Sequence, residues 1–237
     1  MHEEMSVRAK GYVDRVDFIV ELCRGRKVVD LGVIGETCRD FESRIVAFPS
    51  SLHARLADVA SYLVGVDKST EELGALRATH PKLVLYAADI EEPGAALDGE
   101  GLFEVAVAGD VIEHLSNPGR ALDWIRRVLE PQGSLVVTCP NAFGAPNYIR
   151  FLSGRFREGA DHVQSYNKHT LANLVRRHGF SPISVWTALD RAPRSPRRRA
   201  AYRLAAPILK LFPELGGTLV LLARREDSWR AHDGPSS

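Results

Sequence analysis

The sequence predicts a doubly wound α/β fold: a mostly parallel β-sheet with helices on both faces, ending in an antiparallel hairpin. Three observations predict it. Short apolar runs recur along the chain, each ending in an acidic residue or a turn, and stretches of helical spacing separate them. The runs are apolar or β-branched at consecutive positions, as in strands covered on both faces rather than one.

Taken in order, five runs read as successive strands: Lys27 to Leu31, Tyr62 to Asp67, Leu83 to Asp89, Phe103 to Asp110 and Ser134 to Pro140. Between them, Ser69 with Glu72 three residues on predicts a capping box at a helix start. Ser116-Asn117-Pro118 predicts the start of a helix running to Leu129, and Pro131-Gln132-Gly133 a turn into the fifth strand. His169 to His178 is amphipathic and is stopped by Gly179, a glycine C-cap. Ile183 to Ala188 and Thr218 to Ala223 supply the two strands of the hairpin. A Pro- and Arg-rich segment leading into a short apolar helix separates them.

With 237 residues, 45% apolar and 26% charged, the chain has the composition of a globular protein with a sizeable core. One domain over residues 1–226 is expected, with Ala142 to Gly159 and Arg191 to Gly217 as insertions that cover an acceptor or form a lid. A disordered tail is expected over 227–237. A net charge of +1 gives no global field toward nucleic acid or an acidic membrane. Cys23, Cys38 and Cys139 are odd in number and form no C-x-x-C pair, which fits a reducing cytoplasm. The charged N-terminus has no signal-peptide core, and no stretch reaches the roughly 18 apolar residues of a spanning helix.

Asp30, Asp67 and Asp89 stand at the ends of three consecutive expected strands. In an open parallel sheet, ligands bind outside the carboxyl ends of strands near the point where strand order reverses. The three carboxylates are therefore expected to line one crevice. Asp30 opens D-L-G-V-I-G, where Gly32 and Gly35 let backbone approach a ligand without a Cβ in the way. Asp67 suits the paired hydroxyls of a ribose, and Asp89 with the Ile90 amide suits the amino edge of an adenine. A single strand-end aspartate is as readily a helix cap, but three in order outline a nucleoside with a charged tail.

The segments VVDLGVIGE, VGVDKS, AADIEE, FEVAVAGD through CPN, and DHVQSYNKHTLANLVRRHGF resemble, in order, the motifs of class I S-adenosylmethionine-dependent methyltransferases. The nearest likeness is to the ubiquinone-biosynthesis type and to small-molecule and glycan methyltransferases, over roughly Lys27 to Phe180. The resemblance implies a Rossmann-like, seven-stranded class I methyltransferase fold with S-adenosylmethionine as cofactor. It implies that Asp30, Gly32 and Gly35 meet the methionine part, Asp67 the ribose and Asp89 with Ile90 the adenine, with Val33 and Lys68 also among the cofactor-binding residues. It also implies that Gly109, Asp110 and Val111 pass beneath the sulfur. The chain departs from the family's D-x-G-x-G-x-G loop at Ile34 and Glu36, and residues Thr37 to Ala60 lengthen the first crossover. A nicotinamide-binding domain wants G-x-G-x-x-G at this turn and is disfavoured.

For chemistry, His114 in D-V-I-E-H-L is a candidate base, its alternative being a loop-positioning histidine. His162 and Tyr166, before the late helix in a stretch where the resembled family places acceptor-contacting groups, are further catalytic candidates. Asn141 is expected to point into the same crevice. No metal is expected, since no His/Asp/Glu cluster shows ligand spacing along the chain. The run Arg191, Arg194, Arg197, Arg198, Arg199 and Arg203 has three readings: contact with a carrier-lipid or nucleotide-sugar phosphate, contact with an anionic membrane surface, or a solvated lid. Nucleic acid is disfavoured because no overall basicity accompanies the run. The expected activity is methylation, at oxygen, of a small molecule or saccharide. Alternatives are a catalytically silent nucleoside-binding subunit and, further off, a nicotinamide-dependent oxidoreductase.

Overall fold

The computed structural model describes residues 8–35, 40–155, 159, 161–188 and 207–229. The run Arg191 to Arg203, Glu36 and Cys38 lie outside the described residues, as does the C-terminal end from residue 230.

The strands are β1 (Ala9–Tyr12), β2 (Lys27–Leu31), β3 (Tyr62–Asp67), β4 (Val84–Ala87), β5 (Phe103–Gly109), β6 (Leu129–Pro140), β7 (Phe180–Ala188) and β8 (Thr218–Arg225). They form one sheet in the order β1-β7-β8-β6-β5-β2-β3-β4, parallel throughout except that β8 runs antiparallel to β6 and β7. Seven of these strands are the expected ones. The eighth, β1, pairs in parallel with the edge of β7. It comes from an N-terminal segment whose mixed charge hides its strand character from a reading by apolar runs.

The helices are α1 (Arg15–Cys23), α2 (Phe41–Ala47), α3 (Leu52–Ala57), α4 (Thr70–Thr79), α5 (Pro118–Val128), α6 (Ala145–Leu152) and α7 (Lys168–Arg177). Five have side-chain caps: Asp14 accepts from the Val16 and Asp17 amides, Asp40 from Ser43, Ser51 from Ala54, Asn117 from Arg120, and Asn167 forms a capping box with Thr170. The capping box expected at Ser69 and Glu72 is absent, because Glu72 is buried and ion-paired with Arg44 of α2. Pro131-Gln132-Gly133 is a distortion within β6 rather than a turn before it. Gln132 takes φ +62°, and the pairing with β5 shifts between Phe103 and Val105.

Alternation along the strands divides the core between the two faces of the sheet. Val29 and Leu31 join Ala106, Leu135, Trp124 of α5 and Leu171 of α7 on one face. Val28 joins Val105, Val107, Ile19 of α1 and Leu56 of α3 on the other. Asp30 shares its side of the strand with Val28 and so faces the helices of the second cluster. The lengthened crossover folds into α2, a short 3-10 turn at Phe48–Ser50 and α3. Within the range expected to be tail, Trp229 lies under the Arg126 guanidinium, 4.8 Å from ring centroid to charge, and Asp227 accepts from Gln132.

Candidate functional site

Strand order reverses between β2 and β5, and the carboxyl ends of β2, β3 and β5 open there on two adjoining cavities. The larger, of about 410 Å³, is within the usual range of small-ligand sites. The smaller, of about 250 Å³, lies toward α2 and α3 and shares Gly32, Ile34, Gly35, Gly109 and Asp110 with the first.

The turn after β2 makes one wall. Gly32 adopts φ +78°, and a Cβ there would overlap Val111 Cγ2, so the backbone of the turn after β2 packs directly against the Val111 side chain beyond β5. Asp67, at the end of β3, accepts from the Ile34 amide at 2.9 Å and from the Ser69 amide at 3.0 Å, one on each oxygen. Burial pushes its carboxyl above the ordinary aspartate value, opposed by the amides of Ser69 and Ile34. Lys68, Asp89 and Ile90 line the same wall, and the Asp89 carboxylate accepts from the Glu91 amide at 2.8 Å.

The opposite wall follows β5. Asp110 takes φ +55°, uncommon for a residue with a Cβ, and three groups hold it there. Its amide donates to the Thr138 carbonyl at 2.9 Å, the Thr138 hydroxyl donates to its Oδ1 at 3.0 Å, and Arg15 of α1 pairs with its Oδ2. The Asp110 carboxylate thus ties α1 to the sheet. A 3-10 turn, Ile112–His114, follows and presents His114 to the cavity. His162 arrives from the segment before α7, its ring edge-on to that of His114 with centroids 4.8 Å apart. Glu113 lies beneath them, 2% exposed, and its ligand oxygen and one nitrogen of each histidine are all within 4.8 Å of one another.

Eleven expected site residues therefore line the larger cavity: Gly32, Gly35, Asp67, Lys68, Asp89, Ile90, Gly109, Asp110, Val111, His114 and His162. Four other expected residues lie elsewhere. Asp30 borders only the smaller cavity; it is 3% exposed, on the α3 side of the sheet, with His53 Nδ1 2.9 Å from its carboxylate. Val33 borders only the smaller cavity. Tyr166 is buried in the core and lines neither; its hydroxyl donates to Gln164 at 2.7 Å, and burial pushes its phenol up. Asn141 is buried too, its amide donating to the Gly216 carbonyl at 2.8 Å.

None of the described residues of 142–159 lines either cavity; Phe143, Tyr148, Ile149, Phe151 and Leu152 instead face outward. Sequence reasoning missed Arg15, His53 and Glu113, because each acquires its partner across more than twenty residues of chain or through the fold alone. The expectation that no metal-ligand cluster exists rested on spacing along the chain. The pairing of Glu113-His114 with His162, 48 residues on, shows why spacing did not reveal this one.

A family model described as a methyltransferase domain matches residues 10–185. Among curated proteins, the chain is 30% identical over 129 residues to a probable S-adenosylmethionine-dependent methyltransferase of Mycolicibacterium smegmatis, covering 53% of this chain and 46% of that one. The chain spans about half the length of the curated relatives it matches. Among solved structures it resembles an S-adenosylmethionine-dependent methyltransferase of Archaeoglobus fulgidus, with TM-score 0.56 and 15% identity over 89% of this chain and 91% of that one. It also resembles the magnesium protoporphyrin IX methyltransferase of Synechocystis with bound S-adenosylhomocysteine, with TM-score 0.55 and 14% identity over 89% and 82%. At such identities these two likenesses speak to the fold alone.

Proposed function

This chain belongs to the methyltransferase domain family, with the class I fold of S-adenosylmethionine-dependent enzymes, and on that premise we propose that it methylates an oxygen of a small molecule or saccharide. One observation carries the reading. The glycine turn, Asp67 and Asp89 line one wall of a single cavity, and two imidazoles line the other.

The residues present suit the cofactor. The Gly32 turn leaves no room for a Cβ, so main chain alone faces the ligand there. Each Asp67 oxygen has a lone pair beyond the one its amide donor uses, enough to accept from both hydroxyls of a ribose. Asp89 and the Ile90 amide take the adenine edge, and the backbone of Gly109 to Val111 supports the methionine portion. S-adenosylmethionine supplies, when bound, a methyl group on a positively charged sulfur. The protein's task is then to hold an acceptor oxygen in line behind that carbon, and proximity contributes a large share of the acceleration. His114 donates through Nδ1 to the Asp161 carbonyl at 3.1 Å, which leaves Nε2 as the nitrogen that takes the acceptor's proton.

The test is calorimetric titration with S-adenosylhomocysteine, with NADH and an Asp67→Ala variant alongside. Micromolar binding lost in the variant, with NADH silent, supports the reading and opens an acceptor screen. Absence of S-adenosylhomocysteine binding to the intact, folded chain sinks it. Binding without transfer to any hydroxyl acceptor favours the silent subunit.

A further inference from the structure

We propose that Glu113, His114 and His162 form a binding site for one divalent transition-metal ion in the acceptor half of the cavity. The assignment of that half to an acceptor rests on the methyltransferase reading; the ion site itself does not.

The three ligand-capable atoms already lie within 4.8 Å of one another. Metal–ligand bonds of about 2.0–2.2 Å hold two ligands at most about 4.4 Å apart, so closure by a few tenths of an ångström encloses an ion. The main chain fixes this meeting. The Val163 and Gln164 amides both donate to the Glu113 carbonyl, at 3.0 and 3.1 Å, and the Gln164 side chain donates to the Leu115 carbonyl at 3.2 Å. The segment that carries His162 is thereby stitched to the 3-10 turn that carries the other two ligands.

The tautomer of His114 is also set. A carbonyl oxygen accepts only, so His114 Nδ1, 3.1 Å from the Asp161 oxygen, carries the proton and Nε2 keeps its lone pair. A carbonyl oxygen accepting from the far ring nitrogen is the usual support for a metal-bound imidazole. Glu113 places a carboxylate at 2% exposure beside two imidazoles, where a dipositive ion offsets the cost of burying its charge.

The donor set decides the class of ion. Two imidazoles and one carboxylate suit manganese, iron or zinc in the divalent state better than magnesium or calcium, which prefer all-oxygen shells. Three protein ligands leave coordination positions that face the cavity. An acceptor with two neighbouring oxygens, such as the vicinal diol of a saccharide, fills them; a hydroxyl bound to the ion loses its proton to solvent more easily, so in the ion-loaded protein the metal takes over the part that His114 Nε2, now a ligand, plays without it.

The experiment uses the full chain stripped of metal and follows free Mn2+ by electron paramagnetic resonance during titration. The expected result is about one bound ion per chain at micromolar concentration, weakened about tenfold or more in His162→Ala and in Glu113→Gln. His162 is less buried than Glu113 and serves as the primary variant; circular dichroism and S-adenosylhomocysteine binding show that each variant is folded. Free Mn2+ that stays undiminished with the intact protein, or equal binding by His162→Ala, overturns the proposal and leaves an imidazole–carboxylate contact in its place. Ion binding without S-adenosylhomocysteine binding supports the site while the methyltransferase reading falls. The reverse pattern overturns the site and leaves that reading standing.

Discussion

Gly32→Ala tests the packing on which the larger cavity depends. At φ +78° a residue with a Cβ costs about 1–2 kcal/mol relative to right-handed backbone. The added carbon also overlaps Val111 Cγ2, whereas carbon atoms settle at about 3.5–4.0 Å. Relief requires β2's turn or the segment after β5 to move, and overpacking of this kind costs about 1–3 kcal/mol. The total expected is about 2–5 kcal/mol, read as a lower urea midpoint with unchanged slope. Val111→Ala removes the opposing methyl, so the double variant recovers the overpacking part and retains only the backbone part. The coupling in that cycle is therefore about 1–3 kcal/mol. A Gly32→Ala protein with the parent's midpoint, or strictly additive single effects, refutes the claim that these two strand ends are in packed contact.

Three further outcomes follow from the same geometry. His53→Ala deprives the buried Asp30 carboxylate of its partner and is expected to cost about 3 kcal/mol in urea unfolding; a cost under about 1 kcal/mol means the pair is not structural. Asp67, raised by burial against the pull of two amides, is favoured in its neutral form by the fold; its contribution to stability is full below the unfolded pKa and fades as pH rises through the folded one. The anion is the form that accepts from a ribose, so S-adenosylhomocysteine affinity is expected to decline on acidification while pH is still above 3.8, and a titration flat down to that pH contradicts this. Cys23, whose thiol burial and the Asp30 charge push up to about 12, and Cys139, raised by burial and the charges of Glu113 and Asp110, are expected to resist a thiol reagent at pH 8 in the native state of a Cys38→Ser variant. Labelling of either before unfolding contradicts their burial.

The parallel sheet was legible because its strands carry the signal locally. KVVDL, YLVGVD and FEVAVAG are apolar on both faces, and β2 and β3 begin and end at the expected residues. Asn117 and Asn167 cap the helices that open where their patterns begin. β1 escaped because Ala9–Tyr12 is too short and mixed to show a period, and its strand character comes from the waiting edge of β7. Ser69 and Glu72 have the spacing of a capping box, but a buried ion pair with Arg44 outbid that local contact.

The division at the site has the same cause. The sequence by itself determined which side chains stand at strand ends, and those at the very end or just beyond it, Gly32, Asp67, Asp89 and Asp110, all reach the cavity. It did not determine which face of the sheet a side chain takes. Asp30 lies one residue short of the end of β2, and pleat alternation turns it away beneath α3 to meet His53. Nor did it determine partners brought together by different elements: Arg15 with Asp110, and Glu113 and His114 with His162. Periodicity is a property of neighbours in sequence, whereas a site assembled from a turn after one strand and a segment before a later helix exists only once the sheet has set their distance.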